Sequence, residues 1–319
     1  MARPTESKDM RLIYKVSQLY YEQNLAQAEI SERLNLSPAR ISRLLKYARE
    51  TGIVQIIVTP TQGIYVHLEE KLESIYHLQE AVVVGMDEKQ SSDAITHAIG
   101  AAAAKYLTDN LKDGDMVGVT WGTALNAMVA SILPRHCPKC HIVQIIGGLG
   151  SPTADEHVTG ICRRLAAALS CEMTLLPAPG IVGSRRAKDT IMSDAYIKKT
   201  PSLIPKLDTV FVGVGAPTPN SVVLRDGSII TPPDLDNLLK KGAVGDIALR
   251  FFDRNGKPIR SDLDERVIGI TLEQIKSIKR VIGVAGGSHK LAAIRGALLG
   301  GFLNTLIVDQ QTAEKLIKE

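Results

Sequence analysis

Residues 27–46 read QAEISERLNLSPARISRLLK, and how this stretch folds decides how the rest of the chain is read. Ile30, Leu34, Leu36, Ile41, Leu44 and Leu45 recur at spacings that let two short helices, bent at Asn35-Leu36-Ser37, bury apolar faces against each other. Asn35 stands where helix-turn-helix units usually carry Gly, and Asn is the side chain that next most readily takes a left-handed backbone. Ser37 is placed to cap the second helix, and Pro38 suits its first turn, where no backbone N–H is needed. Arg40, Arg43, Lys46 and Arg49 then follow three residues apart. Such spacing makes a basic stripe along one side of a helix, suited to the phosphates and base edges of a major groove. Ser42 and the turn from Ser37 to Arg40 are the expected base readers, and Gln27, which opens the first helix, is counted with them. The plainer reading, a solvated charged face, explains the stripe but not the turn chemistry that accompanies it.

The remaining composition bounds what else the chain holds. At 319 residues it exceeds a single ordinary domain, and the helix-turn-helix takes only its first sixth or so. No segment approaches the apolar length of a membrane span, and MARPTESKDM lacks a signal peptide's apolar stretch, so the expected location is cytoplasmic. The net charge is +4, and residues 1–60, with nine Lys/Arg against six Asp/Glu, carry +3 of it. A basic excess at that end fits a nucleic-acid partner.

In chain order, residues 9–24 carry Leu12, Ile13, Val16, Leu19 and Tyr20 at helical spacing, a helix to brace the reading head. Gly52 ends the second helix of the motif, and the β-branched residues from Ile53 to Thr59 read as a strand or wing. A winged helix-turn-helix is thus expected over residues 1–60, a connecting helix within 61–77, and a second domain over 78–319. In that domain strand-like runs alternate with helical ones. The strands start at Ala81, Met116, His141, Met173, Thr209, Arg280 and Thr305, and helices are expected over 92–111 and 123–133. The alternation predicts a mainly parallel sheet covered by helices on both faces. Asn255-Gly256, after VGDIALRFF, reads as a tight hairpin turn and predicts a mixed sheet.

In such sheets ligands bind beyond the carboxyl ends of strands, where glycine-rich turns open backbone N–H groups to anions at helix N-termini. Four turns qualify: Gly118-Val119-Thr120-Trp121-Gly122-Thr123, Gly147-Gly148-Leu149-Gly150, Gly213-Val214-Gly215-Ala216, and Gly286-Gly287-Ser288-His289-Lys290. The first offers two hydroxyls and a helix start, the last an ammonium to neutralise a phosphate. A single such turn needs nothing more than tight geometry to explain it, but several together point to an anion site. Trp121 is placed to wall a sugar face or to fill core, and Asp246 to accept from ligand hydroxyls or to cap a turn. Neither a Walker A pattern nor G-x-G-x-x-G occurs, so no nucleotide cofactor is expected. His136-Cys137-Pro138-Lys139-Cys140-His141 invites a zinc or redox reading, but Cys162 and Cys171 do not repeat the spacing and the histidines adjoin the cysteines too closely to converge. It reads as a polar turn before a strand, with no metal site.

VGVTWGTAL at Val117, GVGAPTP at Gly213, KGAVGDIALRFFDRNG at Lys241 and GVAGGSHKLAAIRGALLGGFLNTLIVD at Gly283, with the reading head before them, resemble the SorC-type sugar-responsive transcriptional regulators of bacteria. The resemblance spans nearly the whole chain. It implies a winged helix-turn-helix followed by a larger three-layer α/β effector domain similar to glucosamine-phosphate and ribose-phosphate isomerases, phosphorylated sugars as effectors, and assembly as a dimer or tetramer. Carried onto this sequence, it implies a phosphate site formed by Gly118, Thr120, Trp121, Gly122 and Thr123 with Lys290, and a sugar pocket lined by Gly147, Gly148, Gly213 and Asp246. The expected mechanism is a switch in which a bound sugar phosphate changes affinity for operator DNA. Two rivals predict other outcomes. An isomerase using Asp246 or His289 would turn over sugar phosphates, and a sensor using Cys137 and Cys140 would lose regulation on Cys→Ser replacement.

Overall fold

The computed structural model describes residues 5–54, 65–86, 90–148, 158–218 and 230–318. The chain divides into two compact units, Met1–Thr61 and Gln62–Glu319.

The smaller unit holds α1 (Thr5–Ser17), α2 (Gln27–Leu34) and α3 (Pro38–Glu50). A π-helical turn, Gln18–Glu22, prolongs α1 and is closed by Gln23 N–H donating to Gln18 O. Val16, Leu19, Ile30, Ile41 and Leu45 bury together as its core, with Leu34, Leu36 and Leu44 packed at the edge. Asn35 takes the left-handed conformation, φ 51° and ψ 49°, that turns α2 into α3. Pro38 occupies the first turn of α3 as expected, whereas the Ser37 hydroxyl makes no capping bond: its carbonyl instead accepts from Arg40 and Ile41. The wing expected after Gly52 falls mostly on residues 55–64, outside the described residues.

The larger unit begins with α4 (Val66–Tyr76) and β1 (Glu80–Val84). Next come α5 (Ser92–Asn110), β2 (Met116–Val119), α6 (Thr123–Ala130), β3 (His141–Gln144), α7 (Val158–Leu169) and β4 (Glu172–Thr174). They are followed by α8 (Arg185–Ser193), α9 (Ala195–Leu203), β5 (Thr209–Gly213), α10 (Pro232–Lys240), β6 (Ala243–Ile247) and β7 (Arg250–Asp253). The chain closes with α11 (Asp262–Arg266), α12 (Leu272–Lys276), β8 (Arg280–Val284), α13 (Leu291–Leu299), β9 (Thr305–Asp309) and α14 (Gln310–Lys318).

Seven strands form one sheet in the order β1-β9-β8-β5-β2-β3-β4, every pairing parallel. Successive residues of β5, β8 and β9 are buried, so both faces of the central strands are covered, which accounts for their unbroken Val/Ile/Leu runs. The mixed sheet read from Asn255-Gly256 is not what forms. β6 and β7 pair antiparallel as a separate ribbon, and their hairpin turn is Ala248-Leu249, both with positive φ (53° and 62°). Asn255-Gly256 makes a second turn after β7, returning the chain so that Ile259 N–H reaches Phe251 O. The helix expected as a connector, α4, packs within the larger unit against β1 and α14. Its Glu69 and Glu73 carboxylates accept from Val83 and Ala81 N–H, satisfying donors that edge strand β1 would otherwise expose.

Candidate functional site

β2 is the hinge of the sheet's winding. From it the chain proceeds to β3 and β4 on one side, and then to β5 on the other. Two adjacent strands whose following segments diverge leave a crevice at their carboxyl ends. A cavity of about 710 Å³ lies there, reached by residues that follow β2, β5 and β8, by the first turns of α5, and by the β6–β7 ribbon.

Its floor is the entrance to α6. Gly122, at φ 145° and ψ 156°, turns the chain from β2 into the helix, and only the lack of a Cβ makes that backbone cheap. No side chain caps α6, so the first amides from Thr123 onward face the cavity with the positive end of the helix dipole behind them.

Asp246 comes from the ribbon. Its backbone exchanges two hydrogen bonds with Gly215, just beyond β5, at 2.9 and 3.0 Å. Gly215 is needed for that approach, because a Cβ there would sit 2.1 Å from Asp246 Oδ1. The carboxylate also accepts from Leu249 N–H at 3.1 Å, inside the left-handed Ala248-Leu249 turn. Two non-glycine residues in that conformation store strain, and the buried side chains of Ala248 and Leu249 hold them there. Arg250, itself buried, ties the ribbon down by donating to Asp264 Oδ1 and to the carbonyls of Asp264 and Ile270. Burial pushes the Asp246 carboxyl up to about 6, a rise that Leu249 N–H and the Lys290 ammonium oppose.

Lys290 closes the one-turn helix Ser288–Lys290 that leads into α13. Burial pulls its pKa below the usual lysine range, and the Asp246 carboxylate pulls the other way. Among the described residues no hydrogen bond or ion pair engages its Nζ, and the opposite charge that acts on it is the Asp246 carboxylate. His289 beside it is also lowered, by burial and by Lys290, against the pull of Asp309. The cavity therefore offers an unpaired ammonium and open helix amides for an anion, and a buried carboxylate for hydroxyls.

Of the residues singled out in the sequence, Trp121, Gly122, Thr123, Gly213, Asp246 and Lys290 line this cavity together. Four others stand off from its described lining. Gly118 lies inside β2, facing Leu207, Val210 and Ile145 in the core. Thr120 is buried between β2 and β5, where its hydroxyl accepts from Gly213 N–H at 3.4 Å. Gly147 and Gly148 spend their amides on Ile268 O and Ala178 O. The wall that sequence reading missed is the start of α5, where Ser92, Asp93, Thr96 and His97 line the cavity. A Ser-Ser-Asp helix start was visible in the sequence, but not which cavity it would border.

In the smaller unit Arg40, Ser42, Arg43, Lys46 and Arg49 are all exposed on α3, as are Ser37 and Pro38 at its start, while Gln27 is half-buried. Lys46 is shared with Glu50 in an exposed i,i+4 pair at 3.7 Å. The cysteine turn precedes β3 and exposes His136, Pro138 and Lys139, while Cys137 and Cys140 are buried beneath it; the Cys140 thiol donates to Lys112 O, and burial raises its pKa. Among the described residues no group of three or more His, Cys, Asp or Glu could hold a metal ion, and no helix is long and apolar enough to cross a membrane.

Comparison with known proteins agrees with this layout. Residues 63–318 match the family described as "Putative sugar-binding domain". The deoxyribonucleoside regulator of Bacillus subtilis is 33% identical over 315 residues, covering 98% of this chain and 99% of that protein. The sorbitol operon regulator of Klebsiella pneumoniae is 33% identical over 318 residues, with the same coverage of each chain. The crystal structure of the full-length sorbitol operon regulator SorC from that organism matches with a TM-score of 0.75 and 32% identity, over 97% of this chain and 99% of that one. These relatives are named as regulators. The chain belongs to the SorC family of transcriptional regulators.

Proposed function

We propose that this protein is a DNA-binding regulator of a carbohydrate-utilisation operon whose operator affinity is set by a phosphorylated sugar bound at the carboxyl ends of β2, β5 and β8. The observation that carries the effector reading is the pairing of an unengaged Lys290 ammonium with the uncapped α6 N-terminus across one cavity from buried Asp246. The phosphate lies against Thr123 N–H and Lys290, and Asp246 accepts from sugar hydroxyls. Gly118, Thr120, Gly147 and Gly148 support this site from behind, as strand core and loop scaffold.

The reading head contacts DNA through Ser37, Pro38, Arg40, Ser42, Arg43, Lys46 and Arg49 at and along α3, with Gln27 at the start of α2. A dimer or tetramer presents two heads to a pseudo-palindromic operator, and the effector acts by binding its two states with different affinity. A coupling of about 1–3 kcal/mol shifts occupancy roughly 5- to 150-fold. The protein reads as a switch rather than an isomerase, since Leu249 N–H and the Gly215 backbone hold Asp246 in place as an acceptor and its relatives are named as regulators.

The test is a thermal-shift screen of the full chain against pentoses, hexoses, their alditols and the phosphates of each. Stabilisation by one phosphorylated compound and not by its free sugar is the expected result. If only unphosphorylated sugars stabilise the protein, the phosphate assignment fails. Turnover of the stabilising compound would move the protein to the isomerase class.

A further inference from the structure

Asp309, the last residue of β9, is 1% exposed and enters the site only through its pull on His289. A buried carboxylate is costly unless its oxygens are used, and here each goes to a different element. Oδ1 accepts from Thr312 N–H at 3.0 Å, the bond that starts α14. Oδ2 accepts from Gly287 N–H at 2.8 Å, in the turn that carries Lys290. A helix cap needs only the first of these. The Gly287 amide is also shared with the buried Thr312 hydroxyl at 3.0 Å, and one turn further along α14 Lys315 Nζ donates to Ser288 Oγ at 2.8 Å. Gly286, which lines the cavity, lets the turn come this close, since a Cβ there would sit 2.5 Å from Asp309 Oδ2.

α14 does not end at the turn it holds. It packs against α4, and the Tyr76 hydroxyl donates to Leu316 O at 2.8 Å. Among the described residues α4 is the first helix after the reading head. We propose that Asp309, with Thr312 and Lys315, is a positioning residue that holds the Gly287–Lys290 turn ready for the effector's anionic group, and that it makes α14 the element whose order follows occupancy of the site.

This rests on the effector reading above, but it has a signature that needs no ligand. In the full-length Asp309→Asn variant both amides lose a charged acceptor, and one of them meets an NH2 group in its place. Hydrogen–deuterium exchange without ligand is expected to speed up at residues 287–290 and 310–313 together, while β5 and the 120–124 loop exchange as in the unaltered protein. A residue that merely supported the fold would raise exchange throughout. With inorganic phosphate as the probe, the unaltered protein is expected to gain protection at both segments, and Asp309→Asn to bind phosphate about tenfold more weakly. Lys315→Ala, which breaks only the exposed bond to Ser288, is expected to lose about twofold. Because Asp309 acts through the Lys290 turn, adding Lys290→Ala to Asp309→Asn should cost much less than the two losses summed.

If exchange in Asp309→Asn is unchanged at either segment, or if the two losses add in full, the positioning role is overturned. If the unaltered protein binds neither phosphate nor any sugar phosphate, the effector reading fails. The ligand-free exchange then still decides whether Asp309 joins the turn to α14.

Discussion

Protonation of Asp246 should write itself into the stability of the larger unit. Burial lifts this carboxyl from 3.8 to about 6, whereas the unfolded chain ionises it near 3.9. Between about pH 4 and pH 6 the folded state therefore binds more protons than the unfolded one, so stability falls as pH rises through that window and levels off above it. A difference of roughly two pH units corresponds to about 3 kcal/mol, of which roughly half is lost between about pH 5 and pH 8. Asp246→Asn removes the titration and keeps an oxygen for Leu249 N–H. Trp121, the only tryptophan in the chain, sits at the edge of the same cavity, so its fluorescence follows unfolding of this unit alone. In urea titrations of both proteins, the stability of the variant relative to the unaltered protein should rise by about 1 kcal/mol from about pH 5 to pH 8. A difference that stays constant, or that runs the other way, would show that the folded carboxyl is ionised across the range and is not held as described.

Three further outcomes follow from particular contacts. Lys290→Ala should weaken a phosphorylated effector at least tenfold, the loss of a charge-assisted bond, while leaving any unphosphorylated sugar nearly unaffected in calorimetric titration; equal losses for both would remove the phosphate role. Gly215→Ala puts a methyl group 2.1 Å from Asp246 Oδ1, so Trp121 fluorescence should report a destabilisation of about 1–3 kcal/mol together with loss of effector binding. Arg43→Ala removes an exposed cation from α3, and DNA affinity should fall across all sequences, with the slope of log K against log salt lowered by about 1.

The parts of this molecule legible in the sequence are those decided by neighbours a few residues away. Asn35 takes the left-handed bend and Pro38 opens α3, because turn geometry and helix starts are local problems with few solutions. The strands at Met116, Thr209, Arg280 and Thr305 form where their apolar runs stand, and the runs themselves say parallel and buried. The hairpin turn read at Asn255-Gly256 forms as well, with Asp253 N–H donating to Lys257 O and Phe252 bridging Pro258 antiparallel. What local signal did not reveal is the earlier turn at Ala248-Leu249, where buried apolar side chains and the Asp246 bond outweigh the cost of two positive φ angles.

What the sequence by itself determined is therefore the reading head, the alternating α/β plan and a set of glycine turns able to face an anion. Which turns do so was decided only by the tertiary structure. Gly122 and Gly213 border the cavity because β5 returns to the far side of β2, while Gly147 and Gly148, with equal local credentials, lie where the backbone of residues 178 and 268 consumes their amides. The same return brings in the start of α5 and sets Asp246 opposite Lys290. An amide's freedom to bind a ligand depends on what else reaches it, and those partners come from strands and loops distant in sequence, whose order no local propensity encodes.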